Sequence, residues 1–516
     1  MILLLQNSQE YNNDLRAMIM AFYPGVKIVE KQEEGQEYEI VFKADFRENR
    51  TVIEIYDDTE FSKLFGDVSE QSIQGISAEI EGDYHDKQTF RNDLKMASYQ
   101  LLCMKTGRTL PWGDLTGVRP TKIAMSQLRA GKSYEEAVEN YLDVYDVSPR
   151  KAELASKVAK NEMEITADID LDNDYCLYVG IPFCPSRCLY CSFTSYPIAL
   201  YKDKAVKYIE KLKQELAYVA DAYKDKRLVA IYIGGGTPTA ISHELLEELL
   251  DTIDRVYGLG KYCDAVNTLF TDDDKHDVTY YKNRVCLKEY TIEAGRPDSI
   301  TVEKLRVMKN HGVTRISINP QTMNNETLKT IGRAHTSAQA KEAFLMARAE
   351  GFDNINMDLI AGLPGENLDS MRYTLDEIKK LSPESITVHS LAIKRAANLK
   401  QQMSEYGESI HQDVDGMLDM VSDVAAELGM EPYYLYRQKN IGGNLENVGY
   451  SKKGLECLYN ILIMEEMTDI IAVGAGASTK LTYHSENRVE RVENCKSVDD
   501  YIDRFDEMIE RKKARL

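Results

Sequence analysis

The feature that most constrains this chain is a short cysteine-rich stretch that directly follows a run typical of a buried strand. Cys184, Cys188 and Cys191 form a CxxxCxxC triplet, and no fourth cysteine lies at a matching spacing. Three thiolates this close can hold three irons of a [4Fe–4S] cluster, which would leave one iron open to another ligand. The strand run is Leu177–Ile181, and Pro182 ends it. The triplet is therefore expected on a loop at the carboxyl end of a strand, where α/β barrels carry their chemistry.

Two other uses of clustered cysteines fit the pattern less well. Structural zinc sites more often show paired CxxC knuckles, or a CxxC with two histidines. A disulfide framework needs an oxidising compartment, and the opening run Met1-Ile-Leu-Leu-Leu5 is too short for a signal peptide. No apolar run approaches the roughly 20 residues that a membrane span needs. We therefore expect a cytoplasmic protein whose remaining cysteines are free thiols: Cys103, Cys176, Cys263, Cys286, Cys457 and Cys495.

Length and charge narrow the class of protein further. A chain of 516 residues suggests about three domains, and its hydrophobic content of 43% is ample for large cores. The net charge of −21 argues against general binding of nucleic acid or of anionic membranes, because both are negatively charged. It leaves room for a local basic pocket that takes an acidic substrate.

The order of strand and helix patterns predicts an α/β fold with four regions. Residues 1–95 suggest a small α+β module, and residues 96–170 a helical connecting region. Residues 171–400 alternate strands with helices, and residues 401–516 suggest a mostly helical domain with a short strand portion that covers the substrate. Repeated βα units imply a parallel sheet with right-handed crossovers. About six units are visible, which predicts an open, partial (β/α)6 barrel. Residues 261–287 break the rhythm and suggest an insertion.

One loop in the connecting region allows two interpretations. The segment Leu110–Lys122 carries Trp112, the only tryptophan, with two glycines and two prolines. Gly and Pro mark turns, which favours a packed turn that anchors the N-terminal region. The other interpretation is that Arg119 or Lys122 reaches a substrate carboxylate.

A glycine-rich turn, Gly234-Gly-Gly-Thr-Pro-Thr239, follows the second barrel strand. Glycines let the backbone approach a small ligand closely, and successive N–H groups can cradle a carboxylate. Glu293 ends the next strand, where an acid could be a solvated strand end or could bind a positive group. The turn and the cysteine loop lie one βα unit apart, so both belong to the same edge of the sheet.

Later strands add further polar residues at the same edge. Asp358 interrupts an apolar strand and needs a partner, which could be a structural cation or a ligand. Arg333 offers a planar fork suited to a carboxylate. Gln321 directly follows a strand and could hydrogen-bond a ribose, and His335 fits a structural role as well as a site role.

Together these stretches resemble the oxygen-independent coproporphyrinogen III oxidase (dehydrogenase) family of radical S-adenosylmethionine (SAM) enzymes, in its HemZ-like subgroup. The shared features include CxxxCx(aromatic)C with Tyr190 as the aromatic residue, Gly-Gly-Gly-Thr-Pro-Thr, Arg-Ile-Ser-x-x-x-Gln, Gly-Arg-x-His and Asp-Leu-Ile-x-Gly-Leu-Pro-Gly, over residues 175–480. The resemblance implies that SAM chelates the open iron and is cleaved to a 5′-deoxyadenosyl radical. It implies SAM contacts at Tyr178, Gly235, Gly236, Thr237 and Glu293. It also implies that Gln321, Arg333 and Asp358 contact a ligand, which is the same SAM molecule or a second one.

The family's activity sets the expectations for substrate and partner. The resemblance implies oxidative decarboxylation of two propionates of coproporphyrinogen III to vinyl groups, with a flavodoxin or ferredoxin as one-electron donor. A substrate with four carboxylates needs local cations and aromatic surface. The candidates are Lys394, Arg395, Tyr434, Tyr436, Arg437 and Lys439.

The sequence departs from that pattern in two places. The best-characterised members have Cys-x-Cys at the end of the triplet, whereas here Ser192 and Phe193 follow Cys191. That ending resembles the related haem chaperones. Those proteins carry a histidine in their haem-binding segment, where this chain has Tyr459. A haem-binding chaperone and a radical SAM methyltransferase or haem-degrading enzyme therefore remain alternatives.

Overall fold

The computed structural model describes residues 1–32, 36–57, 75–191, 195–259, 285–391, 413–437 and 445–516. The chain divides into two units. The first unit comprises Met1–Lys160 and Leu435–Asn447, and the second comprises Asn161–Tyr434 and Val448–Leu516. Nearly all of the expected insertion at 261–287 lies outside the described residues.

The first unit opens with the predicted α+β region. Its elements are β1 (Ile2–Gln6), α1 (Asn12–Phe22), β2 (Ile28–Val29), β3 (Ile40–Arg47), β4 (Arg50–Tyr56) and β5 (Ile76–Glu81). The strands form one sheet in the order β2-β1-β3-β4-β5. β1 is parallel to β2 and β3, and the remaining pairs are antiparallel. Helix α1 buries Leu15, Met18, Ile19 and Phe22, a helical spacing that gives it one apolar face.

Helices follow in the connecting region, as the sequence predicts. They are α2 (Lys87–Thr106), α3 (Thr121–Arg129), α4 (Tyr134–Tyr145) and α5 (Pro149–Ile165). The tryptophan loop lies between α2 and α3, and the Trp112 side chain is fully buried. Its indole Nε1 donates to Glu446 Oε2 at 2.7 Å, and Lys151 Nζ lies 2.8 Å from Glu446 Oε1. These contacts agree with a packed turn in the first unit.

The second unit contains the predicted partial (β/α)6 barrel. Its six parallel strands are β6 (Asp174–Ile181), β9 (Arg227–Gly235), β10 (Val285–Gly295), β11 (Arg315–Ile318), β12 (Ile355–Ala361) and β13 (Ser385–Ser390). They are neighbours in that order. The short strands β7 (Phe183–Cys184) and β8 (Tyr196–Pro197) pair in the cysteine loop. The barrel strands are nearly continuous apolar runs because both faces of a parallel sheet are covered.

Helices alternate with these strands. They are α6 (Ile198–Ala222), α7 (His243–Tyr257), α8 (Val302–Asn310), α9 (Asn325–Thr330), α10 (Ser337–Ala349) and α11 (Leu368–Leu381). Several begin at side-chain caps, and α10 has a full capping box in which Thr336 and Gln339 bond reciprocally. Local sequence therefore sets where the crossovers start.

The C-terminal region, expected to be mostly helical, contributes strands as well as helices. Its described elements are α12 (Val414–Glu427), β14 (Glu431–Arg437), β15 (Glu446–Ser451), α13 (Leu458–Glu465), β16 (Asp469–Val473), β17 (Ser478–Tyr483), β18 (Arg488–Glu493), α14 (Val498–Asp503) and α15 (Phe505–Lys513). The strands extend the barrel sheet on both sides, in the order β14-β15-β13-β12-β11-β10-β9-β6-β16-β17-β18. β16 is parallel to β6, the strand that leads into the cysteine loop.

A buried ion pair holds this extension against the barrel. Lys512 Nζ in α15 lies 2.9 Å from Glu215 Oε1 in α6, and both side chains are fully shielded from solvent. Glu215 also accepts from the backbone N–H of Gly474, at 2.8 Å, and from Tyr501 Oη, at 2.6 Å. A Cβ at position 474 would lie 2.5 Å from the carbonyl oxygen of Gly180 in β6, so only glycine fits there. The network thus fixes the turn after β16 beside the cysteine-bearing strand.

Within the described ranges, no helix combines the length and apolar character that a bilayer crossing requires.

Candidate functional site

The three cysteines lie on the loop that leaves the carboxyl end of β6, as predicted. Cys184 lies in β7, where it is paired in register with Pro197 of β8. Cys188 is buried, and Cys184 and Cys191 are partly exposed. The loop is also tied to a more distant element, since the backbone N–H of Leu189 donates to the carbonyl of Ile331 at 3.1 Å. A short strand pair and a long-range hydrogen bond therefore hold the loop in place.

Two hydrogen-bond donors point at the cysteine sulfurs. Thr237 Oγ1 donates to Cys184 Sγ at 3.4 Å, and Arg296 Nη1 donates to Cys188 Sγ at 3.6 Å. Burial raises the pKa of the Cys184 thiol to about 11, although Thr237 and Arg296 act in the opposite direction. Donors to sulfur stabilise thiolate, the form that binds metal.

The donor set fits an iron–sulfur cluster by its chemistry. Three thiols on one loop, with hydrogen-bond donors to the sulfurs of Cys184 and Cys188, are what a cluster with three protein ligands needs. Across the stretches that the structure describes, no group of three or more His, Cys, Asp or Glu side chains already has the geometry of a metal site. The fit therefore rests on residue type, loop position and the donors to sulfur.

The glycine-rich turn after β9 packs directly on the cysteine loop. The backbone N–H of Gly236 donates to the carbonyl of Ile181, and that of Thr237 to the carbonyl of Phe183, both at 2.7 Å. A Cβ at position 236 would lie 2.6 Å from the Phe183 carbonyl oxygen, which a side chain cannot tolerate. Gly235 has a φ of +107°, a conformation that favours glycine. The turn's glycines are therefore needed for close contact with the cysteine loop.

Glu293 lies near the carboxyl end of β10 and points toward the same turn. Its carboxylate accepts hydrogen bonds from the hydroxyl of Tyr232 and from the backbone N–H of Gly235. Burial raises the pKa of Glu293 to about 7, and the negative charge of Asp358 adds to the rise. The positive charge of Arg315 lowers the pKa of Glu293 but does not offset burial, so the carboxyl group is only partly ionised at pH 7. It can therefore receive a positively charged ligand group.

Three tyrosines stack beside Glu293. The rings of Tyr178 and Tyr232 have centroids 6.3 Å apart with planes 15° apart. Tyr232 and Tyr459 are closer, at 4.4 Å and 20°. Tyr459 is the second residue of α13, so the C-terminal region contributes to the wall of this site. The stack gives the site a flat aromatic side.

Gln321 and Asp358 lie on adjacent segments of the sheet edge. Gln321 has a φ of +68°, which is uncommon for a residue with a side chain. Its backbone N–H donates to the Asp358 carbonyl and its carbonyl accepts from Ile360 N, both at 3.0 Å. Its side-chain Oε1 is buried and has no hydrogen-bond partner in the described part of the chain. Asp358 accepts from Asn356 Nδ2 at 2.6 Å. The two residues are thus joined through the backbone, and the Gln321 side chain has unused hydrogen-bonding capacity within the described residues.

Arg333 and His335 lie on the segment between α9 and α10. Arg333 donates through Nε and Nη2 to the hydroxyl of Tyr190, at 3.3 and 2.9 Å. Its Nη1 is buried and has no hydrogen-bond partner among the described residues. Burial, with Arg333 and Arg296 nearby, lowers the pKa of His335 to about 4, so this histidine is neutral at pH 7.

The candidate substrate contacts are divided between the two units and the residues that the structure does not describe. In the second unit, Tyr434 is buried with its ring centroid 5.0 Å from that of Tyr433. In the first unit, Tyr436 is partly buried and Arg437 is buried. Arg437 Nη2 donates to the Leu115 carbonyl at 2.8 Å, and burial lowers the pKa of Arg437 to about 10. The remaining candidates lie outside the described residues: Lys394, Arg395 and Lys439. A substrate role for all six stays a prediction.

Sequence reasoning missed two residues that the structure brings to the site. Tyr232 gives no signal of its own within an apolar strand pattern, yet its hydroxyl donates to Glu293. Arg296 belongs to the segment Gly295-Arg-Pro-Asp298, which looks like an ordinary turn. The available signal was its position three residues beyond Glu293, at the edge that carries the cysteine loop.

Comparison with known proteins shows the family to which the chain belongs. Residues 178–378 match the model of the radical SAM superfamily. The chain is 38% identical over 436 residues to the oxygen-independent coproporphyrinogen-III oxidase-like protein HemZ of Bacillus subtilis, covering 83% of this chain and 82% of that protein. It is 30% identical over 329 residues to the heme chaperone HemW of the same organism, covering 63% and 74%.

A solved structure is also similar. Coproporphyrinogen III oxidase (HemN) from Escherichia coli, described as a radical SAM enzyme, aligns over 67% of this chain and 72% of its own, with 19% identity and a TM-score of 0.47. The sequence matches carry the assignment. The superfamily implies a [4Fe–4S] cluster and SAM, without fixing how many SAM molecules bind. From its motifs, its partial barrel and its identity to HemZ over most of both chains, this chain belongs to the radical SAM superfamily and, within it, to the family of coproporphyrinogen-III oxidase-like proteins.

Proposed function

We propose that this protein is a radical SAM enzyme that oxidatively decarboxylates two propionates of coproporphyrinogen III to vinyl groups, giving protoporphyrinogen IX. The observation that carries the proposal is the direct packing of the glycine-rich turn on the cysteine loop, with Glu293 at the same edge. This arrangement joins a candidate cluster site to a candidate SAM site. The name of the Bacillus subtilis relative supports a reaction of the coproporphyrinogen oxidase type.

The proposed cofactor contacts follow the geometry. Cys184, Cys188 and Cys191 hold the cluster. When bound, the cluster and SAM together supply the 5′-deoxyadenosyl radical that abstracts hydrogen. Glu293 binds and orients the positively charged amino end of SAM, because its carboxylate lies beside the glycine-rich turn and the positive charge of Arg315 does not offset the effect of burial on its pKa. Gly235, Gly236 and Thr237 supply the backbone edge of that pocket, as expected from the sequence.

Aromatic residues complete the proposed pocket. Tyr178, with Tyr232 and Tyr459, forms a wall that shields the reacting end from water. Gln321, Arg333 and Asp358 supply the ligand contacts on the opposite side, to the same SAM or to a second one. The unused Oε1 of Gln321 and the unused Nη1 of Arg333, within the described part of the chain, support a ligand there.

The overall reaction makes two demands on the rest of the chain. Each propionate gives a hydrogen atom from its β-carbon to the 5′-deoxyadenosyl radical, then releases CO2 and passes one electron to a one-electron acceptor, which leaves the vinyl group. The four carboxylates of the substrate need cations, for which Lys394, Arg395, Arg437 and Lys439 are the candidates, with Tyr434 and Tyr436 as aromatic contacts. A one-electron donor such as flavodoxin or ferredoxin, and a cytoplasmic location, belong to the same proposal.

An anaerobic turnover assay tests the proposal. The reconstituted protein is incubated with reductant, SAM and coproporphyrinogen III, and the tetrapyrrole products are weighed by mass spectrometry. We expect SAM cleavage that the substrate stimulates, with loss of two CO2 per ring. Cleavage without any vinyl product would reject the decarboxylation. A methyl gain or ring opening would instead identify a radical SAM methyltransferase or a haem-degrading enzyme.

A second candidate function is a haem-binding chaperone, and the 30% identity to HemW supports it. Against it, Tyr459 is buried in the tyrosine stack, where a haem-binding histidine would stand in that group. Haem titration of the full chain and of Tyr459→His separates the two functions. Stoichiometric haem binding by the wild type, without SAM cleavage in the assay above, would favour the chaperone.

A further inference from the structure

Arg296 makes a contact with the cysteine loop that no step of the proposed function has used. It is the first residue after β10, and its side chain is only 4% exposed. Nη1 lies 3.6 Å from Cys188 Sγ, 3.2 Å from Ser186 Oγ and 3.3 Å from the Ser186 carbonyl. One guanidinium nitrogen therefore donates into the loop between the first two cysteines, with a cysteine sulfur among its acceptors.

A carboxylate fixes the direction in which this guanidinium points. Arg296 Nε donates to Asp298 Oδ1 and Nη2 donates to Asp298 Oδ2, both at 2.8 Å. A bidentate pair of this kind holds the planar fork in one orientation. Because Asp298 occupies one edge of the fork, Nη1 is left to face the sulfur. His335 Nδ1 lies 4.0 Å from Asp298 Oδ1.

We propose that Arg296 sets the reduction potential of the cluster by donating a charged hydrogen bond to Cys188, with Asp298 as the residue that orients it and moderates its charge. The inference rests on the proposed cluster site. Reduction adds an electron to the cluster and its thiolates, so a nearby positive donor stabilises the reduced form and raises the potential. Asp298 works in the opposite direction through its negative charge. Arg296 is thus a positioning and tuning residue, and it does not need to touch SAM or the substrate.

The alternative is that Arg296 only stabilises the conformation of the cysteine loop through its hydrogen bonds to Ser186. The two roles predict different signs. If Arg296 and Asp298 act through charge, Arg296→Gln lowers the potential and Asp298→Asn raises it. If they act only as a structural pair, losing either partner loosens the same loop, so both variants change in the same direction or leave the potential unchanged.

The experiment is a redox titration of the reconstituted full-length protein, followed by the electron paramagnetic resonance signal of the reduced cluster. We expect Arg296→Gln to lower the equilibrium constant for one-electron reduction about tenfold, which is about 59 mV toward more negative potential. Asp298→Asn should raise the potential, and Arg296→Lys, which keeps the charge without the fork, should fall between wild type and Arg296→Gln. The matched control is Arg306→Gln, which breaks an exposed bidentate pair with Glu350 and should not change the potential.

Iron and sulfide analysis separates failure of this inference from failure of the proposed function. A wild-type protein that holds no [4Fe–4S] cluster after reconstitution would refute the cluster site itself. With a loaded wild type, equal potentials for all variants, or a decrease in both Arg296→Gln and Asp298→Asn, would refute the tuning role. If Arg296→Gln loses its cluster, the other two variants decide the matter. A raised potential in Asp298→Asn together with a lowered potential in Arg296→Lys supports the inference. Any other pair of results overturns it.

Discussion

Glu293 gives the sharpest test of the proposed SAM site, because its charge changes in an accessible pH range. Burial raises the pKa of this carboxyl group to about 7, with a further contribution from the charge of Asp358. Below that pH the group carries a proton and is neutral. Above it, the carboxylate attracts the positive amino end of SAM. Affinity should therefore be full above the pKa and should fall as the pH is lowered through it.

The size of the effect follows from the ionised fraction. With a pKa of about 7, the carboxyl group is roughly 90% ionised at pH 8 and roughly 10% ionised at pH 6. If only the ionised form binds SAM tightly, the affinity falls about tenfold between these pH values, which is about 1.4 kcal/mol of binding free energy. Replacing Asp358 by Asn removes a nearby negative charge and should move the midpoint of this fall to lower pH.

The assay is anaerobic calorimetric titration of SAM into reconstituted protein at several pH values between 6 and 8. The amino group of SAM titrates near the same range, so the informative quantity is the ratio of wild-type affinity to Glu293→Gln affinity at each pH. We expect this ratio to fall about tenfold from pH 8 to pH 6. A ratio that is flat across the range would refute a charge role for Glu293.

Three further predictions concern packing around the site. Gly236→Ala places a Cβ 2.6 Å from the backbone oxygen of Phe183, so it should lower the free energy of unfolding by roughly 1–3 kcal/mol. It should also weaken SAM binding in the calorimetric titration described above. The matched control is Gly117→Ala, whose Cβ would meet nothing within 4 Å. Lys512→Met leaves Glu215 as an unpaired buried charge and should cost roughly 3–5 kcal/mol, seen as a lower unfolding temperature in scanning calorimetry. The double variant Glu215→Gln with Lys512→Met should be less destabilised, and equal losses would contradict that reasoning. Tyr459→Ala should weaken SAM binding about two- to tenfold through loss of the stack while Tyr459→Phe retains it, and equal affinities for the two variants would argue against a role for the ring.

The barrel and the position of its site could be predicted because they depend on local patterns. A buried strand followed by a loop has its side chains at the carboxyl edge of a parallel sheet, and every such loop falls on the same edge. Cys184, the glycine-rich turn and Glu293 therefore had to be neighbours once the strand order was known. The glycine-rich turn predicted to follow the second barrel strand begins with the last two residues of β9, Gly234 and Gly235.

The C-terminal region was harder to predict because its strands owe their place to distant partners. β16 is short and apolar, a pattern that strands and buried helices share. It becomes a strand because it adds to the exposed edge of β6, with Asp469 in register with Tyr175. Likewise, nothing in the spacing of Trp112 and Glu446 predicts the hydrogen bond between them.

By itself, the sequence determined the superfamily, the barrel and the residue types that can hold a cluster, because each depends on motifs and hydrophobic patterns that span only a few residues. Only the tertiary structure decided which side chains face those residues. It brought Arg296 to Cys188 across 108 positions of chain, Tyr459 onto Tyr232, and Lys512 onto Glu215. The physical reason is that such contacts depend on strand order and helix packing over the whole unit. A local pattern specifies the period of an element, whereas the partner of a buried charge is specified by the fold.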